Sequence, residues 1–194
     1  PPLNASVLDI VDAQRAGSFH YMRYFQTPGV AEVELDGDPI GFLRALYWSA
    51  SGDRPINMVG PDPATQTTFV GDLAIPAGLP QWLSSGDFEA FARAFMSSGF
   101  TGPLNWYRNL HRNWELTAAW RGRTIDVPTA FVGGLADFVV NGGTPGVAGR
   151  GVDLMGAMCT DLRSVTLLDN IGHWTQQEAP GEVNEALLAF LAGL

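Results

Sequence analysis

Apolar positions along the chain fall into two textures. Through the first 120 residues they recur every three or four positions, the spacing of helices with one buried face. Val7, Leu8, Ile10 and Val11 have this spacing, and so do Phe19, Met22 and Phe25. Tyr21, Tyr24 and Phe25 lie three and four apart and share a face. Thr27-Pro28-Gly29 stops that stretch. Val30 to Leu35 predicts a short helix closed by Asp36-Gly37. Asp38-Pro39 then offers an N-cap and a proline at the first helical position, for a helix running to about Trp48. Ser84 and Asp87 resemble a capping box, with Asp in place of Glu. The helix after them sets Phe88, Phe91, Ala92, Phe95 and Met96 on one stripe and ends at Gly99. Thr101 to Trp120 predicts a further helix, with Pro103 near its start and Trp106, Leu110 and Trp114 on a buried edge. Residues 49–80 lose all periodicity among glycines and prolines, and an irregular excursion of that length usually covers something.

The texture changes at Arg121. The run IDVPTAFVGG, from Ile125 to its closing Gly133-Gly134, reads as a strand buried on both faces, as in a parallel sheet. A glycine-rich loop follows from Asn141 to Gly151, then a helix from Val152 to Thr160. Val165 to Leu168 reads as a second strand, closed by Asp169-Asn170-Ile171-Gly172. Glu182 to Leu194 reads as a terminal helix whose Val183, Leu187, Phe190, Leu191 and Leu194 face inward, with Glu178, Glu182 and Glu185 at its dipole-favourable start. Strand, helix, strand, helix is the end of an open α/β sheet. The predicted division is therefore residues 1–120, mainly helical, and residues 121–194, the α/β part.

Composition narrows the partners. The chain has 194 residues, 46% of them hydrophobic, and a formal net charge of −9. Such a chain repels nucleic-acid phosphate and anionic membrane, and it holds no dense basic patch. No apolar run reaches the roughly 20 residues that cross a bilayer. The single cysteine, Cys159, forms no internal disulfide and is expected as a small buried hydrophobe. The first thirty residues carry no signal-peptide pattern, so the expected location is the cytoplasm. The three histidines are far apart and no His/Cys cluster exists, so neither a metal nor a cofactor is expected. The glycine-rich loop fits neither the phosphate-binding loop nor the dinucleotide fingerprint.

Chemistry belongs at the strand ends. In open α/β sheets the reactive crevice lies beyond the carboxyl ends of the strands. Asp137 follows the first strand and His173 the second. A carboxylate on one imidazole nitrogen fixes the tautomer and leaves the other nitrogen basic, the acid-and-base part of a catalytic triad. Spacing alone leaves two alternatives open: Asp169 competes as the acid, and the pair could be idle turn residues.

Four separate motifs carry a resemblance to the soluble-type epoxide hydrolases of the α/β-hydrolase fold. They are YMRYFQTPG at Tyr21 to Gly29, SGFTGPLNWYRN at Ser98 to Asn109, Asp137-Phe138-Val139 after a strand, and GHWTQ at Gly172 to Gln176. The resemblance covers nearly the whole chain. It implies a partial α/β-hydrolase fold, with a helical lid over residues 1–120 and the last strands and helices of the core over residues 121–194. It implies that Tyr21 and Tyr107 are the lid tyrosines that hydrogen-bond an epoxide oxygen, although Tyr24 shares Tyr21's face. It implies that Asp137 is the triad acid and His173 the base. Phe138 and Trp174 adjoin these residues and are expected as substrate-pocket walls.

The departure from the family pattern is large. The family's nucleophilic aspartate lies in a His-Asp-Trp-Gly stretch and its oxyanion donors in a His-Gly-Phe-Pro stretch, and neither occurs here. The chain, which begins Pro1-Pro2, is thus expected to lack the front of the core and to be inactive on epoxides by itself. Its expected partners are a small-molecule epoxide, and either a second copy of the chain or the N-terminal half of the core. A haloalkane dehalogenase relative shares the fold, the aspartate nucleophile and the base, but has no need of two phenols. A truncated hydrolase acting as a binding module is the remaining alternative.

Overall fold

The computed structural model describes residues 4–14, 17–54, 64–70, 73, 76–141 and 150–194. Helix α1 spans Val7–Gln14 and buries Leu8 and Val11. Helix α2, Tyr21–Tyr24, is a single turn capped by the His20 ring, which accepts from the Met22 amide at 3.3 Å. Helix α3, Val30–Leu35, begins after Gly29, whose φ of 85° only glycine adopts freely. The Asp38 carboxylate caps helix α4, Pro39–Ser49, by accepting from Gly41 N at 2.9 Å. Ser84 caps helix α5, Ser85–Ser98, by accepting from Asp87 N at 3.1 Å. All five helices fall where the pattern put them, and α2, α4 and α5 each start on a side chain that caps them.

The stretch from Thr101 to Trp120 is not one helix. It is α6, Thr101–Arg108, then α7, Leu110–Leu116, then a 3-10 turn at Ala118–Trp120. Its expected buried edge is also wrong. Trp106 is 79% exposed, whereas Leu104 is buried at 2%. Leu104 and Tyr107 lie three apart on the packed face, and Trp106 falls off it. Trp114 is half-buried, with the Arg121 guanidinium 4.0 Å above its ring. On α5 the buried stripe is narrower than expected: Phe88 and Ala92 are covered, while Phe91 and Met96 are exposed.

The α/β part has two parallel strands, β1 at Thr129–Gly134 and β2 at Leu162–Leu168. Their register runs from Thr129 opposite Leu162 to Gly134 opposite Leu168, with an irregularity after Thr129. Helix α8, Arg150–Met158, connects them, and the one-turn α9, Thr175–Glu178, leads into α10, Pro180–Ala192. Cys159 is buried beside the Ile125 bridge, as expected. Burial on both strand faces is not observed. Thr129 to Val132 are half-buried and Val165 is exposed. On α10 Val183 is buried, but Leu187 and Leu191 are exposed, as is Leu194 just beyond it, and they do not face inward. Among the described residues no further layer covers them.

The main core therefore sits in the helical part. It is built from Phe25, Ala31, Leu35, Phe42, Leu43, Leu83, Phe88, Ala92, Phe100 and Leu104. Residues 55–63, 71–72 and 74–75 of the irregular excursion, and most of the glycine-rich loop, lie outside the described residues. The described part of the excursion is tied to α3, where the Glu34 carboxylate accepts from Phe69 N at 3.0 Å and Val70 N at 2.6 Å.

Candidate active site

The two strand ends meet as the α/β pattern requires. Leu135 N donates to Leu168 O, and Ala136 N to Ile171 O, both at 2.9 Å. Gly134 packs against the backbone of Ile171 and Gly172 so closely that a Cβ would run into it. This brings Asp137 to His173. The His173 Nδ1 lies 3.1 Å from Asp137 Oδ2, and the other carboxylate oxygen accepts from Val139 N at 2.8 Å. Asp137 is buried, at 6% exposed. The hydrogen bond to Asp137 raises the His173 imidazole above the ordinary histidine range, against the opposing effect of burial. Asp169, the competing acid, is exposed.

Two aromatic rings flank the imidazole. Phe138 stacks on it at 5.4 Å between centroids, and Trp174 meets it edge-on at the same distance. Trp174 is anchored to the helical part, where its indole N–H donates to Tyr47 O at 3.0 Å. Phe138 is 51% exposed.

The two tyrosines also meet. Tyr21 and Tyr107 are edge-to-face, with centroids 5.6 Å apart and planes at 84°. Arg108, next to Tyr107, holds this arrangement. Its guanidinium donates to both oxygens of Glu32, at 2.7 and 2.8 Å, and to Phe25 O at 2.9 Å. The Gln26 amide donates to Tyr107 O at 3.1 Å. Burial pushes the Tyr21 phenol up to about 12, with Tyr107 adding to it, and burial raises Tyr107 as well. Both phenols therefore stay protonated donors through the neutral range. Tyr24 is engaged elsewhere: it is hydrogen-bonded to Glu34 and packed on Phe19.

A cavity of about 250 Å³ is lined by Tyr107 and by Trp174, the neighbour of His173, but not by Tyr21, Asp137 or His173 themselves. Phe25, Phe42, Tyr47 and Phe69 are among its other walls. Tyr21 is in ring contact with Tyr107, Phe25 and Phe69, three of those walls. Phe138 lies against His173 and is not a wall of this cavity. Sequence reasoning missed Tyr47 and Phe69. The only signal for Phe69 was its place in an excursion long enough to cover something. No group of three or more metal-ligating side chains occurs among the described residues, and no helix there is long and apolar enough to cross a membrane.

No family model matches the chain. It is 41% identical over 181 residues to epoxide hydrolase A of Mycobacterium tuberculosis, covering 91% of this chain and 53% of that protein. It is 33% identical over 178 residues to epoxide hydrolase 1 of Siraitia grosvenorii, covering 90% and 53%. The chain thus spans about half the length of the curated relatives it matches. Among solved structures, epoxide hydrolase A from Mycobacterium thermoresistibile superposes with a TM-score of 0.81 at 39% identity, covering all of this chain and 59% of that one. An epoxide hydrolase from an endophytic Streptomyces gives 0.85 at 31% identity, covering all of this chain and 58% of that one. By sequence and by fold, the chain is similar to about half the length of epoxide hydrolases of the α/β-hydrolase fold.

Proposed function

We propose that the whole protein hydrolyses a small apolar epoxide to a vicinal diol, and that this chain supplies its acid-donating and water-activating halves. The observation that carries this reading is an apolar cavity whose walls include both Tyr107 and Trp174, the neighbour of His173. Residues 1–120 act as the lid and residues 121–194 as the end of the core. A nucleophilic aspartate carboxylate, in the part of the family fold that this chain does not hold, attacks one ring carbon and the C–O bond opens. Tyr21 and Tyr107 donate to the oxygen as it becomes an alkoxide, and one phenol proton passes to it. Phenols suit this task, because they are protonated at neutral pH yet acidic enough to follow the developing charge. The ester formed on the aspartate is then hydrolysed. His173 takes a proton from water, Asp137 holds the imidazole and stabilises its cation, and hydroxide attacks the ester carbonyl. The acyl C–O bond then breaks, the diol leaves with the carboxyl proton, and the imidazolium proton restores the phenolate to phenol.

A halide leaving group would find no use for two protonated phenols, so the dehalogenase alternative is weaker. The test is diol formation from styrene oxide, followed by chromatography. The complete protein is expected to form the diol and the 194-residue chain alone to form none. Tyr21→Phe and Tyr107→Phe in the complete protein should each lower kcat/KM about 100-fold, as expected for removing one donor to a developing oxyanion. Full activity in both variants would sink the assignment of the phenols. Turnover by the chain alone would place the nucleophile inside it.

A further inference from the structure

We propose that Glu178 is a positioning residue for His173: its carboxylate gathers backbone N–H groups from the histidine loop and from the end of α4, locking the two together. The inference rests on the reading of His173 as the water-activating base. Glu178 Oε2 accepts from Gly52 N at 2.8 Å and from Gly172 N at 2.9 Å. Its Oε1 accepts from Trp174 N at 3.1 Å, and the Ser51 hydroxyl reaches Oε2 at 3.4 Å. So the amides on both sides of His173 converge on one carboxylate. His173's own amide donates to Ala50 O at 2.8 Å, in the same segment that supplies Gly52.

This is not a helix cap. Two donors come from a segment more than 120 residues away in sequence, and Glu178 closes the one-turn α9 rather than opening a helix. The sequence pattern assigned Glu178 to the start of the terminal helix, and the structure turns it to the histidine loop instead. A carboxylate is suited to the place, because it accepts from several N–H groups and forms stronger bonds than a neutral acceptor. A carboxamide would turn an N–H₂ group toward backbone donors. The close packing around the cradle needs two glycines. A Cβ on Gly52 would run into Asn170 O, and one on Gly172 into Ala50 O.

The cradle also joins the base to the cavity. Helix α4 supplies the walls Leu46 and Tyr47, and Tyr47 O holds the Trp174 indole. Any drift of α4 would therefore move the imidazole with it. Two charged groups act on His173: Asp137, from the loop after β1, and Glu178, from α9. Both favour the cationic imidazole that water activation creates.

NMR on the 194-residue chain tests the proposal, helped by its having only three histidines. In the unaltered chain, the Gly52, Gly172 and Trp174 amide signals should all sit downfield of ordinary amides. In Glu178→Gln those signals should lose their downfield positions. The His173 titration midpoint should fall, while the Tyr107 and Phe25 signals of the main core stay in place. The proposal is overturned if the three amides keep their positions in the variant. It is also overturned if the variant only melts at a lower temperature with the His173 midpoint unmoved, since that is a structural brace. None of these measurements uses an epoxide, so they stand or fall independently of diol formation. In the complete enzyme, Glu178→Gln should slow ester hydrolysis about tenfold while ester formation keeps its rate, so that the ester accumulates. Equal slowing of both steps would contradict a role confined to the base.

Discussion

Asp137 and His173 show what one hydrogen bond between side chains does to the energetics of a site. The imidazole's folded midpoint lies above that of an unfolded histidine, chiefly through its bond to Asp137. The pair therefore favours folding fully below the unfolded midpoint, and the gain is lost as pH rises through the folded one. In the proposed role of base, His173 must be neutral, so the activity of the complete protein should rise with pH through that same midpoint. Asp137→Asn should bring the His173 midpoint down toward the ordinary value of about 6.5, read by the imidazole proton shifts. An unchanged midpoint would show that another group orients the ring. Both residues were legible in the sequence, because each directly follows an apolar strand. Which acid served was not, since Asp169 sits in an equally plausible turn. The structure decides between them through the contact of Gly134 with Ile171 and Gly172, and spacing along the chain carries no trace of that contact.

Among the elements, the helices differ in how far local rules reach. Caps such as Asp38 and Ser84 made the starts of α4 and α5 readable. The break at Asn109 was not readable, because its backbone stays in the right-handed helical region (φ −88°) with no glycine or proline to mark it. Nor was the tie between α3 and α6. The Glu32–Arg108 pair spans 76 residues, and both side chains are nearly covered, at 11% and 12% exposed. The Arg108 guanidinium is the main cause that draws Glu32 down to about 2, helped by the Gly29 amide. A lowered carboxylate stabilises the fold above the ordinary carboxylate range, and the stabilisation fades as pH falls toward 2. Glu32→Gln would leave the guanidinium buried without its counter-charge, which should cost about 3 kcal/mol. Urea unfolding at pH 7 checks the loss. The same series at lower pH should show the gap between variant and parent closing as Glu32 protonates. Because Arg108 follows Tyr107 and also donates to Phe25 O, just after the helix that carries Tyr21, the variant should also disturb the edge-to-face contact of the two rings.

At the scale of the whole molecule, the contrast is between a well-covered helical core and an open α/β end. The apolar run of β1 predicted two covered faces, and the period of α10 predicted an inward stripe; both describe burial that the described residues do not complete. Val127, Val165, Leu187, Leu188 and Leu191 are left exposed. Apolar surface on that scale drives association even against a net charge of −9. At tens of micromolar, the chain should sediment as more than its 20.8 kDa monomer. The double variant Leu188→Lys, Leu191→Glu should shift it back toward the monomer. A parent that stays monomeric at every concentration would show that this surface is tolerated. The fold class was legible because periodicity reports the architecture to which a sequence is adapted. The extent of burial was not, because periodicity does not report which layers a given stretch of chain contains.

The tight joint at Gly134 has a chemical consequence. Because main-chain bonds, and not the acid's own side chain, hold the two loops at a set distance, deleting that side chain should leave the ring where it is, beside a carboxylate-sized notch. Asp137→Ala should then accept a guest: millimolar formate would be expected to lift the depressed imidazole midpoint again, while a bulkier anion such as benzoate would not fit. Failure of every small acid to do so would mean that the joint yields once its tenant is gone.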